Sequence, residues 1–461
     1  MKFFKKTLLV ILLAGTFIVS AAVAEKHNIK LSLDKKDAVY KKGDKVTLNI
    51  KCSVKGKPCS GPIKLTVRYS SWKEEVRIFD TNPGQFVFNA DTAPEAVQFI
   101  VQPLNAEKKP FITGKGRRAK PLAFRIGIAV EPQEFKTGSA EPEDFRKFWN
   151  DAKAGLAKIP VKELERKELP VSNANAGKVP NYFAFIIAAK MPFPKVLEGK
   201  FKAWDVKVAC EGVPVSGVLT IPANAKPKSL PAIVSFNGAP GKSAKAAFAD
   251  NVIRFDVNPH GFENGKPAEF YKNIHATKLR AYQFRNRDDR NKCYFRGMYL
   301  RAQRALDYVK SLPEYDGKTL IVVGNSQGGG QTLAAAGLDS DVKLIYASVA
   351  AMCDHGGGLV NRRPGWPRLL ETKNGKPTRP EVAKSCPYFD AAIFAKYVKA
   401  EAYLTVGLVD EVCAPASVFC AFNNIPGKKH LTILPYHGHS RTTSAEFNKR
   451  LLEVIEEAVR R

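Results

Sequence analysis

Five residues, Gly324-Asn325-Ser326-Gln327-Gly328, constrain this chain more than any others. They follow the run Thr319-Leu320-Ile321-Val322-Val323. They precede Gly329-Gly330-Gln331-Thr332-Leu333-Ala334-Ala335-Ala336. The order is strand, tight turn, helix, which is the setting of a nucleophile elbow. On such a turn a non-glycine residue is forced towards positive φ. Its neighbours two residues away are glycines because strand and helix backbones pass too close for a Cβ. The turn lifts the Ser326 hydroxyl clear of the sheet. The helix N-terminus then supplies free N–H groups and the positive end of a dipole. The structural alternative is a plain glycine-rich turn; the apolar strand before it and the Gly/Ala helix after it favour the elbow.

At 461 residues the chain has room for two or more domains. A hydrophobic content of 44% and a mean hydropathy of −0.23 describe a globular protein. The N-terminus reads differently. Lys2, Lys5 and Lys6 precede an apolar stretch, residues 7–19, that is too short to span a bilayer. Ala22-Val23-Ala24 then offers a cleavage site before Glu25. Residues 1–24 are therefore expected to be a signal peptide, and the mature protein to be secreted or periplasmic. No later segment has the length of apolar sequence that a transmembrane helix needs.

Export makes disulfides available. Of the eight cysteines, Cys52 and Cys59 bracket a turn-like segment and are placed to bridge a hairpin. Cys413 and Cys420 are spaced to share a helix face. No CxxC pair and no His/Cys grouping has zinc spacing, so no metal and no cofactor is expected. The net charge of +29 comes from lysines scattered along the whole chain. It is read first as a solvated surface. An exported protein is a poor partner for nucleic acid, whereas an anionic polysaccharide fits such a surface.

Three segments follow from pattern. Residues 25–131 carry short alternating runs such as Val46-Thr47-Leu48-Asn49-Ile50 and Ile63-Lys64-Leu65-Thr66-Val67, separated by turn signals. That spacing predicts an all-β sandwich of immunoglobulin-like type, with a spacer or a carbohydrate-binding role. Its aromatics form no row beyond Tyr69 and Trp72. Lys108 to Pro121 reads as an exposed loop. Residues 132–461 form the second domain. A helix opens at Pro142 with Glu143 and Asp144 in its first turn. Strands then alternate with helices: 206–210, 215–221, 232–236, 252–255, 344–349, 402–406 and 431–434 as strands, 299–312 and the last twenty residues as helices. This predicts an α/β fold with a doubly wound, mostly parallel sheet. With the elbow, it is the α/β-hydrolase fold.

A serine hydroxyl is a weak nucleophile and needs a base and an orienting acid. In this fold they follow in the order Ser, Asp or Glu, His, on loops after later strands. His355 comes too soon and His430 begins a strand. His437 and His439 share the loop after the last apolar strand, and either can be the base. Asp410 ends a strand just before that loop and has the position of the acid; Asp354 and Asp390 compete less well. The oxyanion hole needs two N–H donors, one from Gln327 after the nucleophile. The second comes from the loop Asn237-Gly238-Ala239-Pro240-Gly241. Pro240 has no N–H, which leaves Ala239.

Three segments together carry a resemblance: Gly324-Asn325-Ser326-Gln327-Gly328-Gly329-Gly330, Gly407-Leu408-Val409-Asp410 continued through Cys413-Ala414-Pro415, and Leu434-Pro435-Tyr436 with a histidine three residues on. The chain resembles the acetyl xylan esterase / cephalosporin-C deacetylase family over about residues 135–461. The resemblance implies metal-free removal of acetyl groups from acetylated sugars. It implies Ser326 as nucleophile, Asp410 as acid, His439 as base, and the N–H groups of Ala239 and Gln327 as oxyanion donors. Three departures stand out. Asn258-Pro259-His260-Gly261 replaces the family's Arg-Gly-Gln-Gly. Ala239 stands where the family has an aromatic residue. Ser440 stands where it has glutamate. The family often forms closed hexamers, so the resemblance implies an oligomer, whose packing an added β-domain would alter.

The expected function is a secreted serine carboxylesterase acting on an acetylated oligo- or polysaccharide, with the basic charge suited to an anionic one. Two rivals remain: a serine peptidase of the same fold, for which no paired-glutamate amine site is visible, and a non-catalytic polysaccharide-binding protein on a hydrolase scaffold.

Overall fold

The computed structural model describes residues 27–175, 194–440 and 444–460. The expected signal peptide, residues 1–24, lies outside them. Two sheets come first. One pairs His27–Leu33, Lys45–Val54, Lys57–Pro58 and Gln85–Asn89; the other runs Val39–Tyr40, Phe124–Val130, Glu95–Pro103, Ile63–Arg68, Glu74–Phe79. In Lys45–Val54 the alternate residues Val46, Leu48, Ile50 and Cys52 are buried, which is the period-two pattern of a strand with one face on a core. Phe86 and Phe88 of the first sheet meet Phe99 of the second at ring-centroid distances of 6.4 and 5.5 Å, so the sheets face each other. Cys52 and Cys59 are joined by a disulfide, as their spacing suggested.

The second region is built on one nine-stranded sheet. Its strands are β1 (Glu163–Glu168), β2 (Phe201–Val208), β3 (Val215–Pro222), β4 (Leu230–Phe236), β5 (Ile253–Asn258), β6 (Tyr315–Asn325), β7 (Val342–Ser348), β8 (Glu401–Gly407) and β9 (Lys429–Leu434). They lie in the order β1-β2-β3-β5-β4-β6-β7-β8-β9. The first three pair antiparallel, and from β5 onward every pair is parallel. The longer helices are α1 (Phe145–Ala157), α2 (Ala268–Ala276), α3 (Tyr294–Lys310), α4 (Gln327–Leu338), α5 (Pro415–Asn424) and α6 (Ala445–Val459). Every residue of β4 and of β5 is buried, as expected of central parallel strands covered on both faces. Strand order reverses around β4, so the loops after β4 and β6 lie side by side at the carboxyl edge, where α/β sheets bind ligands.

Several elements differ from expectation: Lys108 to Pro121, read as a loop, holds the paired strands Ile112–Thr113 and Lys120–Pro121, helix α2 was not anticipated, and two more cases have a clear cause. Helix α1 starts at Phe145, so Glu143 and Asp144 precede it and no acidic residue occupies its first turn. Asp144 instead accepts hydrogen bonds from Arg290 and Tyr388, and these contacts fix where the chain enters the helix. Strand β1, Glu-Leu-Glu-Arg-Lys-Glu, was not expected at all. It is an exposed edge strand whose charged residues protect its open side, and such a strand has no apolar alternation to read.

The N-terminal sheets touch the nine-stranded region at defined points. Gly127 donates its N–H to the Pro435 carbonyl at 2.9 Å, Arg363 donates to Ser70 at 2.9 Å, and the Tyr436 hydroxyl donates to Leu31 at 3.1 Å. Arg68 pairs with Glu411, the neighbour of Asp410. No helix of the described residues is long and apolar enough to cross a membrane.

Candidate active site

Ser326 sits between β6 and α4 at φ 56°, ψ −121°, the strained conformation expected of an elbow. Its N–H donates to Ser348 at 3.0 Å. Its carbonyl accepts from Gly330 and Ala351 at 3.1 and 2.9 Å. The flanking glycines are required by space. A Cβ on Gly328 would lie 2.0 Å from the Phe236 carbonyl oxygen, and one on Gly324 would lie 2.2 Å from the Gly328 carbonyl oxygen.

His439 and Asp410 reach this serine from two later loops. His439 Nε2 is 3.0 Å from Ser326 Oγ, and His439 Nδ1 is 2.9 Å from Asp410 Oδ2. Asp410 is buried at the carboxyl end of β8, and its other oxygen accepts the N–H groups of Val412 and Cys413 at 2.7 and 2.9 Å. Those two donors fix the carboxylate so that Oδ2 faces the imidazole. Asp410 holds only acceptors, so Nδ1 carries the proton and Nε2 is left free to accept one from the serine. The His439 loop is anchored where it passes β8: Val409 donates to the His437 carbonyl at 3.2 Å, and a Cβ on Gly407 would meet that carbonyl at 2.4 Å. Of the two histidines, His439 is the one whose ring bridges Ser326 and Asp410.

The remaining candidates have other partners. Asp354 binds Arg362 at 2.7 Å and the Gly138 N–H at 2.7 Å. Asp390 accepts three N–H groups, from Asp354, His355 and Ala392. His430 stacks on Tyr403 and bonds Glu446 at 2.8 Å. Cys413 precedes α5 rather than sharing a helix face with Cys420. Both are free thiols, and burial holds the Cys413 thiol well above its usual pKa. The Asp410, Cys413 and His439 donor atoms lie within 4.8 Å of one another. Both histidine nitrogens and both aspartate oxygens are already committed to the hydrogen bonds described.

Gln327 begins α4, where an N–H has no acceptor within the helix. Its side-chain oxygen accepts from the Tyr282 hydroxyl. Ala239 lies across from the serine: an added Cβ on Gly238, one residue earlier, would be 3.6 Å from Ser326 Cβ. Two histidines hold this loop from behind. His260 Nε2 is 2.9 Å from the Pro240 carbonyl, and His275 Nε2 is 2.8 Å from the Gly241 carbonyl. A carbonyl only accepts, so His260 Nε2 bears the proton, and Nδ1 accepts from the Tyr294 hydroxyl at 2.8 Å. Burial, and then the Arg301 charge, push the His260 pKa down to about 3, so the ring stays neutral. The substitution at 258–261 thus acts by gripping the loop that carries Ala239.

Two hollows meet at Ser326 and His439. One, of 390 Å³, is lined by Ala239, Leu279, Tyr282, Trp366 and Val412. The other, of 300 Å³, is polar and includes Asn237, Lys242, Lys245 and Asp256. His275, Tyr282 and Trp366 were not singled out by sequence. They sit in no motif, and only the fold brings them to the serine.

The parallel sheet, the elbow after β6 and the loops at the carboxyl edge define an α/β-hydrolase fold. Two solved structures share it: an acetyl xylan esterase from Paenibacillus sp. R4 (23% identity, TM-score 0.52) and acetyl xylan esterase 1 from Thermoanaerobacterium sp. JW/SL YS485 (22% identity, TM-score 0.54). Each match covers 71% of this chain and 98% of the other. The acetyl xylan esterase (AXE1) family model matches residues 195–452, more than half of the chain. The protein belongs to this family and is a carboxylic ester hydrolase. Acetyl esterase Axe7A of Xylanibacter ruminicola is 29% identical over 335 residues, 71% of this chain and 70% of that protein.

Proposed function

We propose that the protein is an exported serine esterase that removes acetyl groups from acetylated carbohydrate through an acetyl-enzyme. The observation that carries this reading is the unbroken line Ser326 Oγ–His439 Nε2, His439 Nδ1–Asp410 Oδ2, at 3.0 and 2.9 Å. Ser326 Oγ attacks the acetyl carbonyl while His439 Nε2 takes its proton. Asp410 stabilises the imidazolium that forms. The N–H groups of Gln327 and Ala239 receive the developing oxyanion, each worth about 3 kcal/mol to the transition state. His439 then protonates the departing sugar hydroxyl. Water, deprotonated by the same imidazole, repeats the sequence on the acetyl ester and releases acetate.

The two hollows suit the two halves of the substrate. The apolar one, walled by Leu279, Tyr282, Trp366 and Val412, suits the acetyl methyl group and the face of a sugar ring. The polar one suits hydroxyl groups. Family membership supports a xylan-derived substrate, and the Xylanibacter relative, an acetyl esterase by name, supports an acetyl ester. Export rests on the basic, apolar and Ala-Val-Ala pattern of residues 1–24. Residues 25–131 and 132–461 are proposed as the β-domain and the catalytic domain.

The test is p-nitrophenyl acetate hydrolysis, and acetate release from acetylated xylan, by wild type and Ser326→Ala. Wild type should cleave both and the variant neither. Under acid quench, wild type should gain the mass of one acetyl group on the peptide containing Ser326. Equal rates for the two proteins would overturn the serine mechanism.

A further inference from the structure

Away from the serine, a groove of 680 Å³ runs along the junction of the β-domain and the catalytic region. Trp72, from the β-domain, and Arg363 and Arg368, from the loop after β7, are among its walls, with Lys73, Asn361 and Asn374. No aspartate or glutamate lines it, while four cationic side chains do. Arg362 is neutralised by buried Asp354 at 2.7 Å, and Lys73 shares Glu75 at 3.5 Å. Arg363 and Arg368 have no carboxylate partner among the described residues, so the groove carries uncompensated positive charge.

Trp72 and Arg363 form its centre. The Arg363 guanidinium carbon lies 3.2 Å from the Trp72 ring centroid, a stacked cation–π contact. Nε and Nη1 of Arg363 are buried and meet no acceptor in the structure, unpaired donors that a carboxylate seated against them would satisfy. Trp72 is 41% exposed and sits at φ 67°, a conformation costly for a bulky side chain and one that clusters at binding sites. A cationic fork, an exposed indole and the amides of Asn361 and Asn374 together match a sugar that bears a carboxylate.

The groove is also close to the ester hollow. Arg363, Pro364 and Arg368 line the groove, and Trp366, between them in sequence, lines the hollow beside Ser326. Three residues of chain span at most about 11 Å, so one polysaccharide strand can occupy both. Resting on the deacetylase reading above, we propose that this groove is a subsite for a uronic-acid unit of the acetylated polysaccharide. Arg363 and Arg368 face the carboxylate, and the Trp72–Arg363 stack forms the floor. The β-domain would then be part of the substrate site, not only a spacer.

The experiment compares acetate release from acetylated xylo-oligosaccharides bearing a uronic acid with release from the same oligosaccharides after carboxyl reduction. Hydrolysis of p-nitrophenyl acetate serves as the control. Arg363→Gln should lower kcat/KM on the acidic substrate about tenfold, the equivalent of one charge-assisted hydrogen bond. It should leave the neutral oligosaccharide and the p-nitrophenyl ester near wild-type rates, which also shows that the variant is folded. The wild-type preference for the acidic substrate should shrink as salt rises. Equal losses on acidic and neutral substrates, or no loss on either, would overturn the subsite while leaving the deacetylase reading intact. A wild type that cleaves the p-nitrophenyl ester but releases no acetate from any oligosaccharide would overturn the deacetylase reading, and the subsite with it.

Discussion

Gly127 of the β-domain donates its N–H to the Pro435 carbonyl at 2.9 Å, four residues before His439. The same glycine is pressed against the loop that carries Asp410. A Cβ there would lie 2.5 Å from Leu408 Cβ and 2.7 Å from the Leu408 carbonyl oxygen, two residues before Asp410. One position therefore abuts the loops of both the proposed acid and the proposed base. Gly127→Ala should cost about 1–3 kcal/mol of stability by overpacking. It should also lower kcat by roughly tenfold or more, because small displacements of catalytic groups are costly. Urea unfolding and p-nitrophenyl acetate kinetics measure the two effects. A stability loss with unchanged kcat would mean that the β-domain braces the fold without setting the triad.

Asp410→Asn keeps the shape of the acid but replaces a pure acceptor with an amide. His439 Nδ1 would lose the partner that fixes its tautomer, and kcat should fall about 10⁴-fold with little change in melting temperature. Steady-state kinetics on p-nitrophenyl acetate decide this. A fall of less than tenfold would assign the acid elsewhere, with Asp354 and Asp390 next to be tested.

His260 links the active-site loop to pH. Its native pKa of about 3 lies below the ordinary value near 6.5. Between those values the unfolded chain binds a proton that the folded protein refuses. Stability is therefore free of this penalty above about pH 6.5 and falls as pH drops towards 3. Buried His355, at about 4, acts in the same direction, whereas buried Asp390, raised to about 6, acts in the opposite one. Both persist in His260→Gln, so the comparison isolates His260. Urea midpoints at pH 7 and pH 4.5 should draw closer together in the variant than in wild type. Parallel behaviour of the two proteins would show that His260 is protonated without cost.

Two glycines offer a contrast set by space alone. Gly328→Ala places a Cβ 2.0 Å from the Phe236 carbonyl oxygen and should destabilise by about 3 kcal/mol or prevent folding. Gly155→Ala, inside α1 with nothing within 4 Å, should stabilise by about 0.5–1 kcal/mol. Melting temperatures of the two variants should move in opposite directions. A tolerated Gly328→Ala would contradict the close approach at the elbow.

Much of the site was legible because elbow chemistry is local. Gly324, Ser326 and Gly328 are dictated by a turn of five residues, and Asp410 and the histidine loop by their place after apolar strands. Choosing His439 over His437 by the resemblance agrees with the geometry, but position along the chain could not choose, since both share one loop. Strand β1 escaped because an exposed edge is written in charges, which carry no period.

Sequence by itself determined the fold class, the elbow at Ser326 and the order along the chain of the groups proposed to serve it, because these depend on short-range backbone sterics and hydrophobic period. Only the tertiary structure decided which histidine reaches Ser326, that His260 and His275 hold the Ala239 loop, and that Gly127 abuts the loops of Asp410 and His439. Those relationships join residues up to hundreds of positions apart. They exist only once the sheets have packed and the loops at the carboxyl edge have been forced against one another.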